Sequence, residues 1–598
     1  MNRFVVIVWC ALLAVCSGLG FDLVKDGRAA ATIVVDPKAP DSVSYAAEQL
    51  ALYVEKMTGV KLRIAPAARQ GNVIRLGVLR PAPDVRPEEI RIRCQSPYEL
   101  IVSGEGPRGP LYAVYQLLEE LGVGFWGPSN ESWPSVKTLT LPSTYSHRSA
   151  PAFESRFVWG EAHRTPWRAK HRMNGGKDLS PRQGGYVDYD VNHSIPGRFV
   201  STDLLKQHPE WQALRKSHPE SERDDKGTRT LASICPSNEG LVAEVIKEVR
   251  AYLEKNPEAR MVSVSPSDTD QLCQCTACWK ANGAGQKDGR VHGYAPAWLG
   301  MVNKVAKHLA KDFPNVRVCF LAYWWTYEPP TKASFKLEPN VTIAVACLGR
   351  NFFKPPEGEY VRFLTRWSEL SHRNLYIWGY SCCFSMFPLP WPSLHPIADE
   401  MRLYRKLGVK GISAQHPWGG LGDFADLRAY LYSKLTWNPD EDAQRLIETW
   451  CRGACGKGAD DVLAYINLVK KAGDKWNRGC GVYVNFAPWM KPEDYREGDR
   501  LLRRALEATR GDKRTHDAVR RIYGGLLCAS LIADGYWDEW KEFKPPVGMA
   551  SYEERLAEYK KLDKEFPGCF CEWVGMEVLI QYFEAQAKAG PGKRKAPR

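Results

Sequence analysis
The sequence predicts an α/β protein: a (β/α)8 TIM-like barrel, preceded by a small α/β sandwich domain and followed by a helical C-terminal region. Three observations carry that prediction. Between about 150 and 437, short apolar runs alternate with helical stretches, which implies parallel strands joined by right-handed crossovers. The 598 residues exceed what a single core serves, so several domains are expected. From "WNPDEDAQRL" onward the apolar spacing is helical.

Residues 1–20, "MNRFVVIVWCALLAVCSGLG", have a basic start, an apolar run and then small residues, the form of a secretory signal peptide. The run is short for a membrane span, and none is read further along. Val15 is large where a lipoprotein box wants a small residue, so lipid anchoring at Cys16 is not expected. The expectation is export to the periplasm or the extracellular space.

Residues 22–145 read as the small α/β domain. "ATIVVDP", "VKLRIAP", "NVIRLGVL" and "YELIVSG" are its strands. In "SVSYAAEQLALYVEKMTG", Ala47, Leu50, Val54 and Met57 recur at helical spacing, and Gly59 follows the end. "GPLYAVYQLLEELG" is a second helix on the same mixed sheet.

Residues 150–437 read as the barrel. Its strands are "FESRFVWG", "ARMVSVSPSD", "NVRVCFLAYWW", "NVTIAVACLG", "NLYIWGYS" and "GVKGISAQH". "NEGLVAEVIKEVRAYLEK", "YAPAWLGMVNKVAKHLAKDF" and "HPIADEMRLYRKLG" are helices between them. Residues 438–588 form the helical region, and 589–598 are expected to be a disordered basic tail.

The formal charge of +13 is scattered rather than concentrated on one element, which argues against a nucleic-acid partner. Tryptophan is unusually abundant, with 21 residues beside 26 tyrosines. Flat rings suit the apolar faces of sugars, though most fill cores.

In a parallel barrel the working face lies where strands end. The strand ends here carry Trp159-Gly160-Glu161, Asp268 and Asp270, Tyr323-Trp324-Trp325, Trp378 and Tyr380, and Gln415-His416-Pro417-Trp418. Aromatics and carboxylates at one mouth describe a saccharide cleft. Asp268 and Asp270 are the expected catalytic pair: two residues apart, they would face one way in an extended segment, and each would raise the other's pKa. The expected substrate contacts are His193, Asn238, Tyr323, Trp324, Trp325, Trp378, Tyr380, Gln415, His416 and Trp418. Asp423 and Asp426 open a helix, where acids commonly serve the helix dipole.

Cys273, Cys275 and Cys278 give C-x-C-x-x-C without a second motif nearby. Removing the first twenty residues leaves 15 of the 17 cysteines, an odd count. The expectation is a disulfide-stapled loop, ahead of structural zinc and of a catalytic metal; no metal and no cofactor is assigned to the site.

Several of these stretches together resemble known families. "SYAAEQLALYVEKMTG" and "GPLYAVYQLLEELGVGFWGP" resemble the small domain that precedes the barrel in family 20 hexosaminidases and α-glucuronidases. "HPEWQALRK", "ICPSNEG", "VSVSPSDTDQLCQCTAC", "FLAYWWTYEPP", "YIWGYSCCF" and "GDFADLRAYLYSKLTWNPD" resemble the DUF4838 family, related to the family 163 endo-β-N-acetylglucosaminidases. The resemblance implies a secreted glycoside hydrolase acting on oligosaccharides or glycoprotein glycans, cleaving next to N-acetylglucosamine with the substrate's own acetamido group as nucleophile. It puts an acid at Asp268, a histidine at His193, a tyrosine at Tyr323, and polar contacts at Ser237 and Asn238. Relatives carry a carboxylate after the "GVKG" strand, where this chain has Ala414. Either Glu161, Asp270 or Asp423 replaces it, or the chain is a catalytically silent glycan-binding barrel.

Overall fold
The computed structural model describes residues 20–595 except 69, 161–165, 189, 217–224, 284–292, 332–334, 349, 477, 541–548, 573 and the side chains of 536–540. Residues 1–19 of the expected signal peptide, and Glu161, lie outside the described residues. The chain divides into two compact units: Met1–Gly124 with Ser132–Ala150 and Ser180–Gly185, and the remainder.

The first unit is built on a six-stranded mixed sheet. Four strands run parallel (Glu99–Gly104, Asn72–Val78, Ala31–Val35 and Arg63–Ala65), and Ile90–Ser96 and Ser146–Ser149 continue the sheet antiparallel. The Asp41–Thr58 helix buries Ala46, Ala47, Leu50, Val54 and Met57, as the apolar spacing requires. It stops at Gly59, whose φ of 73° is the left-handed cap that glycine adopts without strain.

The second unit is organised around six parallel strands, the six read from the sequence. In chain order they are Ser155–Val158, Met261–Ser263, Arg317–Ala322, Val341–Ala346, Leu375–Tyr380 and Val409–Gln415. In space the order is first, sixth, fifth, fourth, third, second, all parallel. Alternate residues face opposite ways. Val262, Phe320, Ile343, Val345, Ile377 and Ile412 turn outward into the layer shared with the helices. Met261, Cys319, Leu321, Ala344, Ala346 and Tyr376 form a separate interior cluster. Gly411 is an interior position where only glycine fits: a Cβ there would lie 2.5 Å from the Tyr376 ring and 2.8 Å from Ser155 Cβ.

Among the described residues, six strands make a curled sheet in place of the expected eight-stranded barrel. The two edges are bordered instead by irregular backbone at 173–179 and 190–196, where glycines, a proline and Asx residues disfavour regular strands. Asn174 ties onto the first strand, its Oδ1 accepting from Arg156 N at 3.0 Å and its Nδ2 donating to Glu154 O at 2.8 Å. On the other edge, Ser263 N donates to Asp190 Oδ2 at 3.0 Å, Ser263 Oγ to Asn192 O at 2.6 Å, and Ile195 bridges Pro266 in parallel.

The helical region includes Ala443–Cys455, Ala459–Lys475, Pro492–Thr509, Lys513–Trp540, Tyr552–Glu565 and Met576–Ala589. It also holds a small hairpin, Cys569–Cys571 against Val574–Gly575, that the helical periodicity hides. The tail departs from the expectation of disorder over 590–595: Arg594 is buried, 3.8 Å from Asp534 and stacked 4.0 Å over the Tyr552 ring. No described helix is long and apolar enough to cross a membrane.

Candidate active site
The mouth is assembled where the parallel strands end. After the third strand the chain enters a turn, Trp324–Thr326, in which Trp324 adopts a φ of 50° and remains 53% exposed. Tyr323, just before it, meets His193 edge-on with centroids 5.4 Å apart. His193 Nδ1 donates to Pro266 O at 2.7 Å, which leaves Nε2 as the acceptor in the neutral ring. Burial first, then neighbouring Tyr483, Asp268 and Glu572, push the Tyr323 hydroxyl well above its usual range.

Two of these neighbours come from the helical region. Tyr483 sits in a segment held to the loop after the fifth strand, with Phe384 N donating to Val482 O at 2.8 Å and Ser385 Oγ to Val484 O at 2.9 Å. Its ring stands edge-on to Trp324 at 6.3 Å, and the Tyr323 and Tyr380 hydroxyls neighbour its own. Glu572 lies on the hairpin, which meets the loop after the sixth strand at an antiparallel bridge between Gly419 and Gly568. The backbones touch so closely that a Cβ on Gly568 would fall 2.9 Å from Gly420 Cα.

Glu572 is the acid the sequence reading missed. Partial burial raises its pKa, a hydrogen bond from Gln415 opposes the rise, and the Asp268 charge adds to it. The mouth therefore holds two carboxyl groups within electrostatic reach of each other, one from a strand end and one from the hairpin. A carboxyl pair in unlike surroundings is the equipment for dividing acid and base roles.

The segment that carries Asp268 and Asp270 is not an extended strand. The second strand ends at Ser263 and the chain bends at Asp268 and Asp270, so the extended geometry that would align the pair is absent. Both side chains are exposed. Asp268 acts on Tyr323, Tyr380, Tyr483 and Glu572. The Asp270 carbonyl accepts from Arg215 Nη1 at 3.2 Å.

Three other expected contacts have structural partners. Asn238 caps the Glu239–Lys255 helix, accepting from Leu241 N at 3.0 Å. His416 is buried with Nδ1 2.7 Å from Ser381 Oγ. Trp325, partly exposed, lies in the turn and accepts from Tyr294 N through its carbonyl at 2.9 Å. Asp423 is no mouth acid either. It is buried in an ion pair with Arg428 at 2.8 Å and accepts from Trp391 N at 2.8 Å, burial pushing its pKa to about 7 against the pull of Arg428. Asp426 sits 3.8 Å from Arg521.

Ala414 resolves differently from the expectation of a missing acid. It is fully buried in the outward layer, opposite Gly379 and Val158, so a carboxylate there would point among the helices. The inward residue of that strand end is Gln415, a neighbour of Glu572.

Beside the mouth the curled sheet encloses a cavity of about 500 Å³, within the usual range for ligand sites. Phe157, Trp159, Tyr376, Trp378 and Trp418 line it with Asp188 and Asp190. Trp159 and Trp378 lie 5.7 Å apart, and Trp159 Nε1 donates to Ser413 Oγ at 2.8 Å. Trp378 and Tyr323 both pack on the interior cluster, which links cavity and mouth. Burial and the Asp190 charge raise the pKa of Asp188.

The cysteines depart from the expected staple. Every described cysteine is free, and Cys273, Cys275 and Cys278 are joined by a fourth, Cys235, with all four Sγ atoms within 4.8 Å of one another. Cys235 precedes Cys275 by 40 residues, outside any spacing motif.

No curated protein sequence matches the chain. Among solved structures, it overlays a family GH115 4-O-methyl-α-glucuronidase with specificity for decorated arabinogalactans at a TM-score of 0.60 and 13% identity, covering 95% of this chain and 80% of that one. At that identity the likeness is one of fold. A family 89 glycoside hydrolase from Clostridium perfringens, in complex with GlcNAc-α-1,4-galactose, gives 0.49 and 10% over 87% and 64% of the two chains. A GH138 enzyme targeting pectin rhamnogalacturonan II gives 0.44 and 10% over 94% and 79%. Residues 125–467, more than half of the sequence and including all six barrel strands, match the family described as Domain of unknown function (DUF4838). The chain belongs to the DUF4838 family.

Proposed function
We propose that this protein is an exported glycoside hydrolase acting on complex glycans, with Glu572 as general acid and Asp268 as the ionised carboxylate. The observation that carries the reading is the pair itself: a half-buried carboxyl of raised pKa beside an exposed one, in a mouth walled by Tyr323, Tyr380 and Tyr483. Glu572 gives its proton to the glycosidic oxygen as the C–O bond breaks. Asp268 faces the positive charge that grows at the anomeric carbon. Water then adds to that carbon and its proton returns to Glu572. Where the sugar is N-acetylglucosamine, the acetamido oxygen attacks first, Asp268 orients its N–H, and the Tyr323 hydroxyl holds it in place. The rings of Trp324 and Trp378 offer stacking faces for pyranose rings.

Purified protein incubated with aryl-glycosides and N-glycans, read by mass spectrometry, should release a sugar product. Glycans that bind and stay intact would make this a glycan-binding barrel instead; glycans that neither bind nor react would end the saccharide reading. Export is tested by the mass of the mature N-terminus, expected to begin near residue 20.

A further inference from the structure
We propose that Cys235, Cys273, Cys275 and Cys278 bind one structural zinc ion, which fastens the loop that carries Asp268. Zinc bound to four thiolates at about 2.3 Å places the sulfurs about 3.8 Å apart along the edges of a tetrahedron. Cys235 Sγ lies 3.6 Å from Cys275 Sγ and 3.8 Å from Cys278 Sγ, and no pair in the group exceeds 4.8 Å. Two disulfides would draw the sulfurs into pairs about 2.05 Å apart, whereas all four cysteines are free. An iron–sulfur cluster inserts its own sulfides and irons between the thiolates and holds them farther apart than this group allows.

The surroundings fit metal thiolates. Leu214 N donates to Cys273 Sγ at 3.4 Å and Cys278 N to Cys275 Sγ at 3.5 Å, bonds that stabilise sulfur bearing negative charge. Ser237 Oγ lies 3.2 Å from Cys278 Sγ. All four cysteines are buried, and among the described residues the small core they form contains only Ala213, Leu214 and Ala297 besides. That is too little apolar surface to order a loop, so the ion serves as the core, as in small metal-dependent modules. Four protein ligands close the coordination sphere, so the ion is structural rather than catalytic.

The zinc site stands independently of the glycosidase reading. Its effect on Asp268, five positions before Cys273 in the sequence, rests on that reading. The test is metal analysis of the full-length protein, purified without chelator. The expected result is about one zinc per chain, released when a mercurial titrates the thiols, with Cys235→Ser and Cys275→Ser each retaining less than a fifth of it. Cys94→Ser, in the first unit, should keep all of it. Wild-type protein loaded with zinc on refolding covers the case in which the serine variants fail to fold. Less than a fifth of an equivalent in both preparations, an intact mass four daltons light from two disulfides, or stoichiometric iron in place of zinc would each overturn the proposal. Because metal content is read without substrate, an inactive protein holding one zinc would refute only the proposed function.

Discussion
The bend at 267–270 and the hairpin at 569–575 deliver acids to the same mouth by opposite routes. The bend continues a barrel strand, and its acid, Asp268, stands in solvent. The hairpin comes from the helical region, reaches the mouth through a glycine seam, and half-buries Glu572 beneath Gln415. Burial penalises the charged form, so the hairpin acid keeps its proton to higher pH than an ordinary carboxyl. What separates the two roles is the element that presents each carboxyl, not its residue type.

The comparison can be broken most directly at Glu572. Glu572→Gln should lower kcat/KM on a cleaved glycan by about 10² to 10⁴ with folding intact; a loss below tenfold would return the acid's role to another group. Asp423 supplies the contrast of a buried acid outside the mouth. Asp423→Ala strands Arg428 without its partner and should cost about 3–5 kcal/mol by chemical denaturation, with activity per folded molecule unchanged. Asp268→Asn should reduce kcat by about tenfold to a hundredfold, as loss of transition-state charge stabilisation. It should also move the alkaline limb of the pH–rate profile to lower pH. The sign follows from the pair: Asp268 raises the pKa of Glu572, a general acid works protonated, and removing the repulsion lets the proton leave earlier. An unmoved limb would uncouple the two acids. Trp324→Ala should weaken glycan binding about threefold to tenfold, the worth of one ring contact, measured by calorimetry. Asp270→Asn should change kcat/KM less than twofold.

All six barrel strands were legible because their outward Val, Ile and Leu residues alternate with inward ones and turn residues bound each run. The interior aromatics at strand ends were legible for the same reason, since Tyr323, Trp378 and Tyr380 follow directly from strand parity. The helix Gly358–Leu370 was missed although Tyr360, Leu364 and Trp367 mark its buried face, because "EYVRFLTRWSEL" lies between two short strands and carries many charges. Cys235 and Glu572 were hidden for another reason. Each joins its partners across a gap in sequence that no spacing rule reports, and "CEW" in an otherwise helical stretch gives no sign of a hairpin. The signal for Cys235 was the "ICPSNEG" motif, read for its serine and asparagine rather than its thiol. Ala414 misled because a pattern of residues says nothing about which way a strand position points until the register is known.

The seam between Gly419 and Gly568 makes the width of the cleft a property of backbone rather than of side chains. There is no room for a methyl group at Gly568, whose Cβ would lie 2.9 Å from Gly420 Cα. A side chain there would therefore displace the hairpin, and Glu572 with it, from the loop after the sixth strand.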